Sequence, residues 1–349
     1  MTESRGRERV IPDERGVERS RPAEGGGRST PSFRAPAEGR GETFGLPTAP
    51  RPLRIRARSF EWGRRTYVVG ILNVTPDSFS GDGLLGSDLA GGDLARPPDT
   101  RASVESAVSL AQRMAEEGAD MLDVGGESSR PGHSEVDPAE ERRRVVPVIA
   151  AIREKLGSMP ISIDTVKPSV AEAALDAGAD VINDVWGVSE DDGLARLAAE
   201  RGVPLVVMHN RGEARYANLM AEVIADLQRA LERALRAGVA WDRLLVDPGF
   251  GFGKAPVHNL ALLRGLGDLR LLGRPVMLGT SRKSTLGKVL DLPSDQRLEA
   301  TLATTALGIA AGIDLVRVHD VLPNVRAARI SDAVLRGEPT DWLPEGGSS

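Results

Sequence analysis

The chain has 349 residues, of which 40% are hydrophobic and 27% charged, with a formal net charge of -5 and no cysteine. Its length is enough for one large domain or two ordinary ones. The negative charge is not the electrostatic footprint of a nucleic-acid-binding protein, and no apolar run approaches the ~20 residues of a membrane helix. The lack of cysteine excludes disulfides, thiolate metal sites and a cysteine nucleophile. We expect a cytoplasmic globular protein with no nucleic-acid or membrane partner.

Residues 1–50 differ in composition from the rest of the chain. Arg, Glu, Gly and Pro alternate there, and Phe33 and Phe44 are the only aromatic residues. Such a segment cannot bury enough apolar surface to fold alone. Its acidic residues, such as Glu8 and Glu14, argue against a transit peptide. We predict a disordered N-terminal extension over residues 1–50, dispensable for activity, and one barrel domain over residues 51–340.

From about residue 65, short runs rich in Val and Ile alternate with longer stretches of helical period. Helices are predicted over residues 103–117, 139–155, 169–177 and 219–237. Eight strands are predicted over residues 67–72, 119–124, 160–164, 180–184, 204–209, 244–247, 275–279 and 314–318.

Continuous apolar strands joined by helices indicate a parallel sheet that is covered on its faces. Eight β/α units match a closed (β/α)8 TIM barrel, which typically has about 250 residues. A doubly wound open sheet is the alternative. Its usual glycine fingerprint after the first strand is absent, because Asn73, Val74 and Thr75 stand there instead. Residues 83–100, rich in Gly, Asp and Pro, interrupt the pattern and are predicted to form a long loop.

Polar residues follow almost every predicted strand, and chemistry in this fold occurs at those strand ends. The third, fourth and sixth strands end in the acceptors Asp164, Asn183 and Asp247. A carboxylate can accept two parallel N–H bonds, and an amide can pair with an adjacent donor and acceptor. This set suits a guanine-like or pterin-like ring. Helix capping explains the neighbouring Asp184 and Asp320 equally well.

The last two strands end in cationic side chains. Loops at this position, together with the N-terminus of a short helix, commonly bind phosphate in this fold. Residues 284–290 fit such a helix. One ligand could therefore place a heterocycle in the acidic centre and a phosphate on the basic side, near Arg282, Lys283, Arg317 and His319.

Eight motifs in order make the chain resemble the dihydropteroate synthase family over residues 65–335. They are GILNVTPDSFS (70–80), DVGGESSRPG (123–132), SIDT (162–165), IND (182–184), VMHN (207–210), DPGFGFGK (247–254), SRKS (281–284) and RVHDV (317–321). The resemblance implies condensation of a pterin pyrophosphate with para-aminobenzoate, and a homodimer. It also implies Mg²⁺, bound through Asn73, as the cofactor.

The resemblance further implies a role for individual side chains. Lys283, Asp247 and Arg317 are expected to be catalytic. The pterin is expected to contact Asp123, Asp164, Asn183, Met208, Asp247 and Lys283. The pyrophosphate is expected to meet Asn73, Arg130, Arg317 and His319, and the benzoate Ser129, Pro131, Phe252 and Ser284.

Two loops depart from the family pattern. The first has SFSGDG (78–83) where many members have SFSDGG, and the second has Ser129 where Thr is common. Neither change affects the residues expected to bind the pterin. Two alternative functions stay open at this point: a pterin-dependent methyltransferase that acts with a corrinoid partner, and a non-enzymatic pterin-binding homologue.

Overall fold

The computed structural model describes residues 50–74, 100–127, 135–187 and 192–337. Eight parallel strands form one sheet. They are β3 (Tyr67–Asn73), β4 (Met121–Gly125), β5 (Ile161–Asp164), β6 (Val181–Asp184), β7 (Leu205–Met208), β8 (Leu244–Asp247), β9 (Met277–Leu278) and β10 (Leu315–Val318). Their order in the sheet is β8-β7-β6-β5-β4-β3-β10-β9. A parallel bridge between Val246 and Val276 joins the two edges of the sheet, so the predicted (β/α)8 barrel is confirmed.

Helices surround the barrel. Each observed strand overlaps its predicted range, and the bounds differ by at most two residues. β9 is followed by two helices rather than one, and the first is the predicted short helix at residues 284–290. Within the described residues the helices are α1 (Thr100–Glu116), α2 (Pro138–Lys155), α3 (Pro168–Asp176), α4 (Gly193–Arg201), α5 (Leu219–Arg236), α6 (Pro256–Arg264), α7 (Ser284–Leu290), α8 (Leu298–Ala310) and α9 (Val321–Arg336).

Alternation along the strands divides the buried residues into two clusters. Outward-facing residues such as Leu122, Ile163 and Val246 pack with the helices. Inward-facing residues form a second cluster, in which Met121, Leu245 and other early strand positions fill the lower barrel. Two residues further along β4, β8 and β10, the inward positions become polar. The interior therefore changes from apolar to charged toward the carboxyl ends of the strands, at Asp123, Asp247 and Arg317.

A short antiparallel hairpin that the sequence analysis missed covers the amino end of the barrel. It consists of β1 (Leu53–Ile55) and β2 (Arg58–Phe60). Phe60 is 1% exposed, and its ring lies 4.8 Å from that of Tyr67 and 5.7 Å from that of Trp62. These rings belong to the same cluster as the inward residues of the strands, so the hairpin completes the interior core.

A buried carboxylate, that of Asp120, bonds several elements together at this end of the barrel. Asp120, just before β4, accepts hydrogen bonds from Arg65 at 2.7 and 3.0 Å and from the backbone N–H of Val68 at 2.9 Å. Arg58 of the hairpin also reaches Asp120. Such charge-assisted bonds are stronger than neutral ones, so the hairpin, β3 and β4 are held together at one residue.

Several predictions fall on other parts of the chain. The disordered extension (1–50) and the long loop (83–100) lie outside the described residues, apart from their boundary residues 50 and 100. In the part of the chain that the structure describes, no helix has the length and apolar character needed to cross a bilayer.

The hairpin should contribute strongly to stability. Phe60→Ala removes a fully buried ring, and we expect it to lower the free energy of unfolding by about 3–5 kcal/mol. Urea unfolding followed by circular dichroism measures this change. Val257→Ala, at a side chain that is 67% exposed, is the matched control and should change stability by less than about 0.5 kcal/mol. Equal effects of the two substitutions would show that the hairpin is not part of the core.

Candidate active site

An ion cluster occupies the interior of the barrel near its carboxyl end. Arg317 of β10 donates from Nε to Asp123 Oδ2 at 2.5 Å and from Nη2 to Asp164 Oδ2 at 2.5 Å. The side chain of Arg317 is only 13% exposed. Two buried carboxylates from β4 and β5 are thus bridged by one guanidinium. Arg317 lies in the acidic centre, and not only on the basic side where the sequence analysis placed it.

Two further side chains complete the bonds of Asp123. Ser162 donates its hydroxyl to Asp123 Oδ1, and Asn183 donates from Nδ2 to Asp123 Oδ2 at 3.1 Å. Among the described residues, no group bonds Asn183 Oδ1, although this atom is buried. A buried amide oxygen without a partner is costly, so this acceptor suits a ligand that donates a hydrogen bond.

Asp247, at the end of β8, is a third buried acid, 4% exposed. Its Oδ1 accepts the backbone N–H of Gly249 at 2.7 Å. Met208 of β7 is its direct neighbour in the sheet and is 4% exposed. Gly279 has no side chain, and a Cβ there would lie 3.8 Å from Asp247 Oδ2. Asp247 and Met208 therefore share one wall of the barrel mouth.

Burial dominates the electrostatics of this centre. It raises the pKa of Asp164 to about 7, although the nearby Arg317 lowers that pKa. Burial also raises the pKa of Asp247 to about 6, with Lys283 and Arg317 acting in the opposite direction. Burial alone would lower the pKa of Arg317, but Asp123 and Asp164 raise it above its ordinary value. The guanidinium stays charged, while the carboxyls of Asp164 and Asp247, with pKa values of about 7 and about 6, titrate close to neutral pH.

The rim beside β9, β10 and β3 carries further polar groups. Ser281 Oγ lies 2.9 Å from His319 Nδ1 and accepts the His319 backbone N–H at 3.2 Å. Arg282, which was predicted to lie near the phosphate, donates two hydrogen bonds to Asp320, at 2.7 and 3.1 Å, and forms an ion pair with it. Asn73 ends β3 on the same side: a Cβ on Gly125 would lie 3.8 Å from Asn73 Oδ1 and 3.7 Å from Asp164 Oδ2.

Lys283 and Phe252 lie above the acidic centre. The ammonium of Lys283 is 3.9 Å from the centroid of the Phe252 ring, a cation–π contact. Its charge is near enough to both Asp164 and Asp247 to lower the pKa of each. Ser284 is exposed at the start of α7. Ser129, Arg130 and Pro131 lie outside the described residues.

The structure brings most of the predicted side chains together and adds Ser162, which the sequence analysis missed. Asp123, Asp164, Asn183, Asp247, Met208 and Arg317 all point into one chamber. Ser162 was missed as a partner of Asp123, although it stands two residues before Asp164 and so faces the same way. Within the described ranges, no three His, Asp or Glu side chains come together as a metal site.

The described chain resembles known proteins over most of its length. Residues 69–319 match the family model described as pterin binding enzyme. A dihydropteroate synthase of Clostridium beijerinckii is 45% identical over 285 residues, which cover 81% of this chain and 100% of the relative.

Two solved structures show the same fold. A Xanthomonas albilineans dihydropteroate synthase with 4-aminobenzoic acid aligns with a TM-score of 0.73 and 41% identity, covering 84% of this chain and 100% of the other. A Thermus thermophilus dihydropteroate synthase in complex with 6HMPPP aligns with a TM-score of 0.67 and 40% identity, covering 81% and 100%. The chain belongs to the family of pterin binding enzymes.

Proposed function

We propose that the chain is a dihydropteroate synthase. It joins 6-hydroxymethyl-7,8-dihydropterin pyrophosphate to para-aminobenzoate and releases 7,8-dihydropteroate and pyrophosphate. The observation that carries the proposal is the chamber of Asp123, Asp164, Asn183 and Asp247 around Arg317, in a chain 45% identical to a dihydropteroate synthase. The relatives with 4-aminobenzoic acid and with 6HMPPP support the same two substrates.

The pterin is assigned to the chamber. Asp247 and Asn183 offer buried acceptor oxygens to the amino and N–H groups of the ring, and Met208 offers an apolar surface beside them. Asp123 and Asp164 supply the negative charge below the ring. Lys283, whose charge acts on two of these acids, is proposed to contact the ring and orient the second substrate.

The reaction breaks the bond between the pterin methylene carbon and the pyrophosphate oxygen. The aniline nitrogen then forms a bond to that carbon and loses a proton. Positive charge that develops on the pterin is stabilised by the fixed carboxylates Asp164 and Asp247. The departing anion is stabilised by cations on the rim. Lys283, Asp247 and Arg317 are therefore the residues proposed to act in catalysis.

The pyrophosphate is assigned to the rim of β3, β10 and the second loop. Asn73, His319 and Arg317 would contact it, with Arg130 joining from outside the described residues. Mg²⁺ keeps several waters and is usually bound by few protein ligands, mostly carboxylates, plus substrate phosphates, so the amide oxygen of Asn73 would be its one protein ligand here, without a cluster of acids. When bound, the ion would neutralise charge on the leaving group.

Para-aminobenzoate is assigned to the space beside Phe252. The ring of Phe252 carries the Lys283 ammonium on one face, and Ser284 follows directly in the chain. Ser129 and Pro131, which lie outside the described residues, are proposed to contact the benzoate as well.

A homodimer and a cytoplasmic location belong to the same proposal. α8 and α9 pack against each other and expose large apolar side chains. Leu307 is 60% exposed, and Ile330 and Val334, one turn apart on α9, are 63% and 75% exposed. An apolar surface on two neighbouring helices supports a contact with a second copy of the chain.

Turnover tests the proposed function. The purified protein, given pterin pyrophosphate, para-aminobenzoate and Mg²⁺, should form dihydropteroate and release one pyrophosphate per product, measured by chromatography and a phosphate-coupled assay. Asp247→Ala should lose pterin affinity at least about tenfold, because buried donors of the ring lose their partner. Pterin binding without pyrophosphate release would favour the methyltransferase or the non-enzymatic homologue.

Activity should also depend on the ionisation of the two buried acids. Asp164 and Asp247, with pKa values of about 7 and about 6, are charged only above those pH values. We therefore expect kcat/KM for pterin pyrophosphate to fall as the pH decreases below about 7. Asp164→Asn removes the upper ionisation, so its remaining activity should begin to fall about one pH unit lower.

Protonation of the substrate is the same for both proteins and provides the internal control. Pterin pyrophosphate titrates identically with the wild type and with Asp164→Asn, so only the difference between their profiles reports on the enzyme. Profiles with the same midpoint would show that Asp164 is not the group that limits activity at low pH.

A further inference from the structure

Lys254, at the end of the DPGFGFGK motif, is a buried lysine that the proposed reaction does not use. It is 8% exposed. Its Nζ donates to the carbonyl oxygens of Gly249 and Phe252, both at 3.0 Å, and lies 2.7 Å from His209 Nδ1. An ammonium has three N–H donors and no acceptor. The three acceptors therefore match its full donor capacity.

His209, at the end of β7, anchors this lysine to the outer helix layer. Burial, together with the charge of the nearby Lys254, lowers the pKa of His209 to about 4, so the ring is neutral around pH 7. Nδ1 accepts from Lys254, which leaves the proton on Nε2, 3.1 Å from Asp226 Oδ2 on α5. Arg211 donates to the same carboxylate at 2.7 Å. The chain of bonds thus runs from α5 through His209 to Lys254.

The loop that Lys254 binds has a shape that depends on glycine. Gly249 has a φ of +67°, and a Cβ there would come within 1.8 Å of the His209 carbonyl oxygen. Gly253 has a φ of +54°, and its Cβ would lie 2.3 Å from the Arg211 carbonyl oxygen. The loop therefore packs directly against the backbone after β7. Glycines make a loop costly to order, so the bonds from Lys254 offset that cost.

The same loop carries Phe252 to the para-aminobenzoate site. Lys254 bonds the carbonyl of Phe252, whose ring lies 3.9 Å from the Lys283 ammonium. We propose that Lys254 is a positioning residue for the second substrate: the hydrogen bonds of its side-chain nitrogen hold the loop so that Phe252 and Lys283 meet the benzoate end of the site. This inference rests on the proposed function, and it gives Lys254 no contact with either substrate.

The charge of Lys254 depends on its surroundings. Burial lowers the pKa of Lys254 to about 7. The negative charges of Asp247 and Asp226 raise this pKa, and the positive charge of Arg211 lowers it. As the pH rises through this value, the nitrogen loses one of its three donors but also loses a charge that burial disfavours. Because the ordered loop lowers this pKa, it binds the proton less tightly than an open, hydrated loop would, so the ordered loop becomes more stable as the pH rises above about 7. The ionisable groups that face the lysine and its loop are His209, Arg211, Asp226, Asp247 and Lys283.

Substitution separates positioning from general stability. Lys254→Met removes all three donors, and Lys254→Gln keeps two. We expect Lys254→Met to raise KM for para-aminobenzoate at least about tenfold, while KM for pterin pyrophosphate changes less than about twofold. Lys254→Gln should give an intermediate KM for para-aminobenzoate and serves as the test if Lys254→Met does not fold. Lys155→Met, at an exposed lysine at the end of α2, is the matched control and should behave as the wild type.

The pH dependence provides a readout that a merely structural role would not move. In the wild type, KM for para-aminobenzoate should fall between about pH 7 and pH 9, because the ordered loop is favoured as Lys254 loses its proton, and in Lys254→Gln it should stay flat. A flat wild-type KM, a KM within twofold of the wild type in Lys254→Gln, or an equal rise in KM for both substrates would overturn the inference. Absence of turnover in both the wild type and Lys155→Met would instead overturn the proposed function.

Discussion

The bridge from Arg317 to Asp123 and Asp164 is the interaction on which the site depends. Three ionisable groups buried in a barrel would be costly to charge if they were unpaired, since each loses its hydration. The guanidinium bonds both carboxylates at 2.5 Å, while Ser162 and Asn183 satisfy the remaining positions of Asp123. A strongly polar chamber can therefore exist directly above the apolar cluster that the hairpin closes from below.

The fold was largely predictable because its signals are local. Apolar runs and helical periods predicted all eight barrel strands, and the short helix at residues 284–290 was predicted at its observed bounds. The hairpin was missed because Leu53–Ile55 and Arg58–Phe60 have three residues each, too few to show a period. Its stability comes from Phe60, Trp62 and Tyr67 packing on inward strand residues, a contact between distant parts of the sequence.

The sequence predicted which side chains meet in the candidate site, but not which of them bond to each other. Polar strand ends predicted that Asp164, Asn183 and Asp247 would meet, because parallel strands of one barrel end at one rim. Which acid Arg317 bonds depends on side-chain geometry across 194 positions of sequence, and the pattern placed Arg317 with the phosphate alone. The contact between Lys254 and His209 could not be predicted for the same reason, because these two residues and their partners lie on three separate elements.

The central claim is that the charge of Arg317 favours the ionised forms of Asp164 and Asp247, the acids proposed to bind the pterin. Arg317→Met removes the charge that lowers the pKa of Asp164, so that pKa should rise from about 7. Calorimetric binding of the bare pterin should then lose affinity at a pH at least about one unit higher than in the wild type, while Arg317→Lys, which keeps the charge, shifts less. The same pH dependence in Arg317→Met and the wild type would contradict the account.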